Sequence, residues 1–383
     1  MTENYKEFAS RIKEKIILKE RAVSDRTLDK IPYTAVNGRF DDKSDDKNIN
    51  WWTNGFYGGM LWLMYRETGD ERYAERAERI ADKLSVCFDR FYNLDHDMGF
   101  LWLPTDVASY RLTGNNDGRR RGLLAANILA GRFNPAGNYI RAWNDGIGKE
   151  NGPTSNVGWC IIDCLMNLPL LYFASEETKD PRFKHIAVRH ADMAIKNFLR
   201  ADGSVNHIVE INPETGEFVQ SFGGQGYGLG SSWTRGQSWA LYGFLLSYLH
   251  TGEERYLEAS KKVADYFVSQ IPESGLIPVD FRQPMEPAYE DSTAAAISSC
   301  GLIELSKAVS DPKLKDKYMD AALKMLKALS DKRCDFDPET DNLLTHCSAS
   351  YHAKEHHFPI IYGDYFFMEA IFNLTGSDFS IWK

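Results

Sequence analysis

The sequence predicts an all-α fold, a closed toroid of alternating inner and outer helices. Three observations carry that prediction: a short phrase that recurs six times, two helix types that alternate around it, and complementary ends. The phrase marks a helix end, a tight turn and a newly capped helix. It reads TGDERYAERAERIADKL from Thr68, TGNNDGRRRGLLAANIL from Thr113 and TKDPRFKHIAVRHADMAI from Thr178. It returns as TGEERYLEASKKVADYF from Thr251 and SDPKLKDKYMDAALKML from Ser310, then truncated as LTGSDF with its Thr at 375.

The helix after each turn is amphipathic. Tyr73, Ala77, Ile80, Ala81 and Leu84 keep the spacing of one helix face. So do Phe183, Ala187, Ala191 and Ala194, then Tyr256, Val263, Ala264 and Phe267, then Tyr318, Ala322, Met325, Leu326 and Leu329. The helix before each turn differs. Segments 55–64 (GFYGGMLWLM) and 238–249 (SWALYGFLLSYL) are apolar nearly all round, the mark of a helix buried on every side. The sixth turn is followed by only eight residues, so its outer helix is assigned to the N-terminal segment. There Tyr5, Ala9, Ile12 and Ile16 supply a matching stripe. The expected result is twelve helices in one domain, 1–383. The competing architecture is an open solenoid, which caps its ends instead of completing one from the other.

Composition narrows the partners. The 383 residues hold 45 Lys plus Arg against 54 Asp plus Glu, a net charge of −9 with no basic run. That balance argues against nucleic acid or an anionic membrane surface as partner. The longest apolar stretch, 159–174, is interrupted by Asp and Asn, so no spanning helix is expected. The first residues, MTENYKEFASRIKEKI, lack the apolar core of a secretion signal, and six scattered Cys show no CxxC pair. Both features point to a reducing, cytoplasmic setting.

Loop lengths mark the working face. The inner-to-outer turns are short, whereas 134–155, 201–234, 272–291 and 334–361 are long and open where inner helices begin. Six helix N-termini at one mouth favour an anionic small substrate despite the acidic total. The third inner helix is expected to begin at Asn156 and Trp159, with Asp163 about two turns in; Asp163 is the sharpest candidate there, a carboxylate in the apolar run WCIIDCLMNLPLL. Such burial costs several kcal/mol unless the group is paired or protonated, so Asp163 is either satisfied by a neighbouring helix or is a general acid/base. Asp97, after His96, is either a helix N-cap or a second carboxylate of the kind sugar-cleaving enzymes pair. Trp52, Trp143, Trp159, Trp233 and Trp239 cluster at inner-helix starts, as expected of a wall that stacks on sugar rings. Arg235, between Trp233 and Trp239, offers a fork for a carboxylate, or an ion pair with an acidic loop residue. His352, Glu355 and His356 spell HxxEH, a zinc pattern, but Pro359 follows closely and the segment reads as loop, so no metal is assigned. The glycine run 223–228 reads as backbone thinned for close approach to a ligand.

Together, WTNGFYGG from Trp52, HDMGF from His96, IIDCLMNLPLL from Ile161, SSWTRGQSWALYGF from Ser231 and YGDYFFMEA from Tyr362 form a specific set. Through them the sequence resembles the unsaturated glucuronyl hydrolases of glycoside hydrolase family 88 over nearly its whole length. The resemblance implies an (α/α)6 barrel. It also implies hydrolysis of the 4,5-unsaturated uronic acid that polysaccharide lyases leave, by hydration of its vinyl ether. An acid protonates C4, water adds at C5, and the hemiketal opens to release the remaining saccharide. By the same resemblance Asp163 is the general acid and base, and Asp97 holds substrate and polarises the site. His207, Gln225 and Arg235 contact the uronic acid or the water, and Trp52, His96, Trp143, Trp233 and Trp239 build the sugar wall. No cofactor or metal is implied. Lys354, with Ser348 or Ser350, is a candidate sulfate contact in a loop that departs from the sulfate-binding members of the family. The alternatives are an unsaturated rhamnogalacturonyl hydrolase and a non-catalytic saccharide-binding protein. An epimerase would need a pair of catalytic His, which the inner-helix starts do not supply.

Overall fold

The computed structural model describes residues 4–144, 155–377 and 379–383. In chain order the helices are α1 (Tyr5–Thr27), α2 (Phe56–Thr68), α3 (Glu71–Leu84), α4 (Met98–Trp102), α5 (Ala108–Thr113), α6 (Asn116–Ala130) and α7 (Pro169–Thr178). They continue as α8 (Pro181–Asn197), α9 (Thr234–Thr251), α10 (Glu254–Gln270), α11 (Ser292–Ala308), α12 (Pro312–Lys332) and α13 (Ile361–Leu374). A π turn over Leu103–Val107, with Pro104 inside it, joins α4 to α5, so these form one interrupted inner element.

Inner elements α2, α4–α5, α7, α9, α11 and α13 contact one another in a closed circuit, and α13 meets α2 to shut it. Outside them lie α3, α6, α8, α10, α12 and α1. Among the described residues this makes six inner and six outer members, an (α/α)6 barrel. Helix α1 packs against α13 and supplies the sixth outer partner, as the complementary ends predict. Its stripe is Phe8, Ala9, Ile12 and Ile16; Tyr5, expected within it, sits on the first turn and is exposed.

The repeated turns work as capping devices. Gly69, Gly114 and Gly252 close α2, α5 and α9 in the left-handed conformation, which a residue without Cβ adopts at little cost. Lys179 does the same after α7 with φ of 58°. The side chains of Asp70, Asn115, Asp180 and Asp311 then accept backbone N–H groups of the next helix.

The periodic readings leave out a set of small sheets at the mouth. Two short hairpins pair β1 (Ala35–Val36) with β2 (Arg39–Phe40) and β3 (Phe133–Asn134) with β4 (Tyr139–Ile140), and strand β5 (Trp159–Ile161) pairs antiparallel with β6 (Ile208–Ile211), which pairs with β7 (Phe218–Phe222). This corrects the helix expected from Asn156 onward. The backbone groups of 159–161 find their partners in β6, and only then does a short 3-10 turn, Ile162–Met166, lead into α7. Part of the 134–155 loop, residues 145–154, lies outside the described residues. No helix of the described residues is long and apolar enough to cross a membrane.

Candidate active site

The first wall comes from the turn before α2. Asn54 donates to the carbonyls of Asn48 and Ile49, both at 2.9 Å, and so shapes the loop that carries Trp51 and Trp52. A Cβ on Gly55 would stand 2.2 Å from the Phe100 carbonyl, so glycine lets α2 and α4 close up here. Trp52 consequently packs on Phe100 and Tyr362, with ring centroids 5.4 and 4.9 Å away.

The second wall is a hydrogen-bonded turn. Asp95 accepts the backbone N–H of Asp97 at 2.9 Å. His96 Nδ1 lies 3.0 Å from the Ala142 carbonyl, which can only accept, so that nitrogen carries the proton. The contact ties His96 to the strand end bearing Trp143, whose ring meets the imidazole edge-on at 5.9 Å. Asp97 occupies the N-cap position of α4, yet its side chain caps nothing; its Oδ1 lies 3.3 Å from Asn167 Nδ2 and 3.2 Å from His96 Nε2.

Asp163 stands in the 3-10 turn immediately after β5, not two turns into a helix. Burial lifts its carboxyl to about 7 against an opposing pull from Arg235. Asp97 is pushed well above the carboxylate range by burial, with the charges of Asp95 and Asp163 adding to the effect. At neutral pH the pair therefore retains a proton.

His207, on the approach to β6, accepts the Gln225 N–H at Nδ1 (2.9 Å). Its proton is thereby placed on Nε2, 3.8 Å from Asp163 Oδ1. Burial, with Arg235 nearby, lowers the imidazole to about 3, so it stays neutral. Arg235, in the first turn of α9, donates from Nη1 to Asp291 Oδ2 (2.6 Å) and the Ser348 carbonyl (2.7 Å), and from Nη2 to the Ala349 carbonyl (2.5 Å). The ion-pair alternative is the one realised: its fork is largely committed to Asp291 and the 348–349 backbone. What it presents to the site is a fixed positive charge flanked by Trp233 and Tyr362.

One cavity of about 350 Å³ collects these groups. Of the ten residues singled out from the sequence, Asp97, Asp163, Trp52, His96, Trp143, Gln225 and Arg235 line it. The other three stand behind. His207 and Trp233 pack against each other at a tilt of 44° with centroids 4.1 Å apart, and Trp239 is fully buried against Phe100 and Phe366. Lining residues that sequence reasoning did not select are Asn50, Trp51, Asn93, Asp95 and Ile161. Trp51 and Asp95 had a signal, since each adjoins a selected residue at an inner-helix start.

The HxxEH residues do not form a helical ligand set. His352 Nε2 meets the Tyr227 carbonyl at 2.9 Å, while His356 Nε2 meets that of Tyr351 at 2.9 Å and its ring stacks on Tyr289. In the same loop Ser348 is buried and donates to the Glu290 carbonyl (2.7 Å), so it is already engaged; Lys354 is exposed. Asp95, His96 and Asp97 bring donor atoms within 4.8 Å of one another, but His96 Nδ1 and Asp97 Oδ1 already have the partners above, and we assign the group no metal.

An (α/α)6 barrel whose mouth sets a carboxylate pair that retains a proton beside indoles has the equipment expected of a glycoside hydrolase. The comparisons refine that class. The family model described as Glycosyl Hydrolase Family 88 matches residues 23–373, and the chain belongs to that family. It is 38% identical to the unsaturated glucuronyl hydrolase of Bacillus sp. (strain GL1), over 86% of this chain and 88% of that one. It is 35% identical to the unsaturated chondroitin disaccharide hydrolase of Streptococcus pyogenes serotype M1, over 84% of this chain and 80% of that one. Among solved structures, unsaturated glucuronyl hydrolase from Streptococcus agalactiae superposes with a TM-score of 0.89 at 29% identity, covering 99% of this chain and 94% of the other.

Proposed function

We propose that this chain hydrolyses the 4,5-unsaturated uronic acid residue from lyase-generated disaccharides of glycosaminoglycan type, in the cytoplasm and as one catalytic domain. The observation that carries the reading is a pair of buried carboxylates, Asp97 and Asp163, that line one cavity, where burial raises both carboxyls. The names of the relatives supply the substrate class.

In this reading the protonated Asp163 delivers its proton to C4 of the vinyl ether. A carboxyl near 7 is protonated in enough molecules at neutral pH to act, and acidic enough to give the proton up. Asp163, now an anion, takes a proton from the water that adds at C5. The hemiketal then opens and the remaining saccharide leaves. Arg235 supplies a fixed positive charge, suited to the uronic carboxylate and to Asp163 while it is ionised. Trp52 and Trp143 flank the sugar, and Asp97 polarises and holds it.

The test is loss of the ultraviolet absorbance of the C4=C5 bond in an unsaturated chondroitin disaccharide. The wild-type chain is expected to bleach it. Asp163→Asn is expected to slow the reaction about a hundred- to ten-thousandfold. Full activity in that variant would remove Asp163 from the chemistry, and micromolar binding without a change in ligand mass would identify a binding protein.

A further inference from the structure

We infer that Asn167, which does not line the cavity, is a positioning residue for the reaction: its side-chain amide clamps the Asp97 carboxylate to the main chain of Asp163. The inference rests on the proposed function for the roles of the two acids.

Asn167 is fully buried where the 3-10 turn bearing Asp163 ends, just before α7. A buried amide in an apolar run needs partners, and here they set its orientation. Its Oδ1 accepts the backbone N–H of Phe100 at 2.9 Å. Since that partner can only donate, the amide cannot be flipped, and both Nδ2 hydrogens face the other way. There they meet Asp97 Oδ1 at 3.3 Å and the carbonyl of Asp163 at 3.3 Å. One amide thus bonds three groups from two inner elements, including both residues assigned to the chemistry.

The backbone makes room for this contact. A Cβ on Gly99 would lie 2.6 Å from Asn167 Cα and 2.7 Å from its Oδ1. Glycine at 99 therefore lets the start of α4 press directly on Asn167, in a motif (HDMGF) otherwise made of side chains that fill space or do chemistry.

The charges around Asp97 show what the clamp does. Asp95, Asp163 and Cys164 face it as anions or potential anions, and Arg132 is a cation nearby. His96 presents a bare Nε2 lone pair to the same Oδ1, because its proton is held at Nδ1 by Ala142. Asn167 is thus the neutral donor that balances this lone pair. Without it, the preference of Asp97 for its protonated form deepens, and the carboxyl turns toward His96 Nε2 and away from the substrate.

The experiment is the pH dependence of kcat and KM for wild type, Asn167→Ala and Asn167→Asp on an unsaturated chondroitin disaccharide, with thermal melts recorded in parallel. For Asn167→Ala we expect kcat to fall about ten- to a hundredfold with KM changed less than about threefold, and the limb set by Asp97 to move up by about one pH unit. Asn167→Asp keeps the shape and the acceptor for Phe100 but turns a donor into an acceptor. Its kcat should fall at neutral pH and recover partly on acidification, when the new carboxyl has a proton to donate. Profiles of both variants that overlay the wild type after scaling would reduce Asn167 to packing and overturn the inference, as would an unchanged kcat. If Asn167→Ala does not fold, the near-isosteric Asn167→Asp decides alone. A wild-type chain that leaves the disaccharide intact defeats the functional proposal instead, so the two failures are distinguishable.

Discussion

Of the buried carboxylates of the inner ring, one deep in it and one at its mouth are treated in opposite ways. Glu369, well along α13, accepts hydrogen bonds from the Tyr242 hydroxyl (2.7 Å), the Tyr365 hydroxyl (2.5 Å) and the Trp382 indole (2.8 Å). Asp163, at the mouth, has an Oδ1 with no hydrogen-bond partner, and His207 Nε2 stands 3.8 Å from it. Burial raises both carboxyls, but around Glu369 three donors oppose the rise, whereas Asp163 is opposed mainly by the Arg235 charge. A buried acid surrounded by donors is a structural joint. A buried acid left short of donors keeps its proton up to neutral pH yet can still give it up there, which is what delivery to carbon requires.

The largest effect follows from exchanging Asp163 for its amide. Asp163→Asn, besides the loss of activity proposed above, should make the protein more stable at alkaline pH. The native carboxyl near 7 lies above its unfolded value near 4, so the folded state binds the extra proton and stability falls as pH rises from about 4 to about 7. The deficit is complete above that window, and melts at pH 5 and pH 8 should show the larger gain at pH 8.

The deep end should respond through stability. Trp382 is fully buried and stacks on Phe366 at 5.8 Å, so Trp382→Ala is expected to cost about 3–5 kcal/mol in denaturant unfolding. Glu369→Gln turns an acceptor among donors into a mixed amide and should cost about 1–3 kcal/mol. An increase in stability on that change, like the one expected for Asp163→Asn, would erase the contrast between the two acids. The smallest effect is at the third repeated turn. Lys179 has φ of 58° where three other turns use glycine, and Lys179→Gly should add about 0.5–1 kcal/mol, read as a small rise in Tm.

Much of this was legible in the residues because its causes are local. The capped turns at Asp70, Asn115, Asp180 and Asp311 need only a handful of neighbouring residues, and helix faces such as Tyr73 to Leu84 are set by their own period. Asp163 stood out because a carboxylate in an apolar run demands an explanation. Strand β5 did not, since a continuous apolar run has the same pattern as helix or strand until β6, some fifty residues on, offers it a hydrogen-bonding edge. Asn167 looked like one more interruption of that run, because its three partners come from the start of α4 and from its own preceding turn.

What the sequence determined alone was the ring: its repeat, its caps, its two helix types and its acidic charge balance. Those follow from interactions a few residues long. Tertiary structure decided how each polar group at the mouth is spent. Arg235 meets Asp291 and the carbonyls of 348–349, and His207 meets the backbone of Gln225, only because distant loops converge. A proton's location depends on every dipole within a few ångströms, and those dipoles arrive from parts of the chain that no local pattern connects.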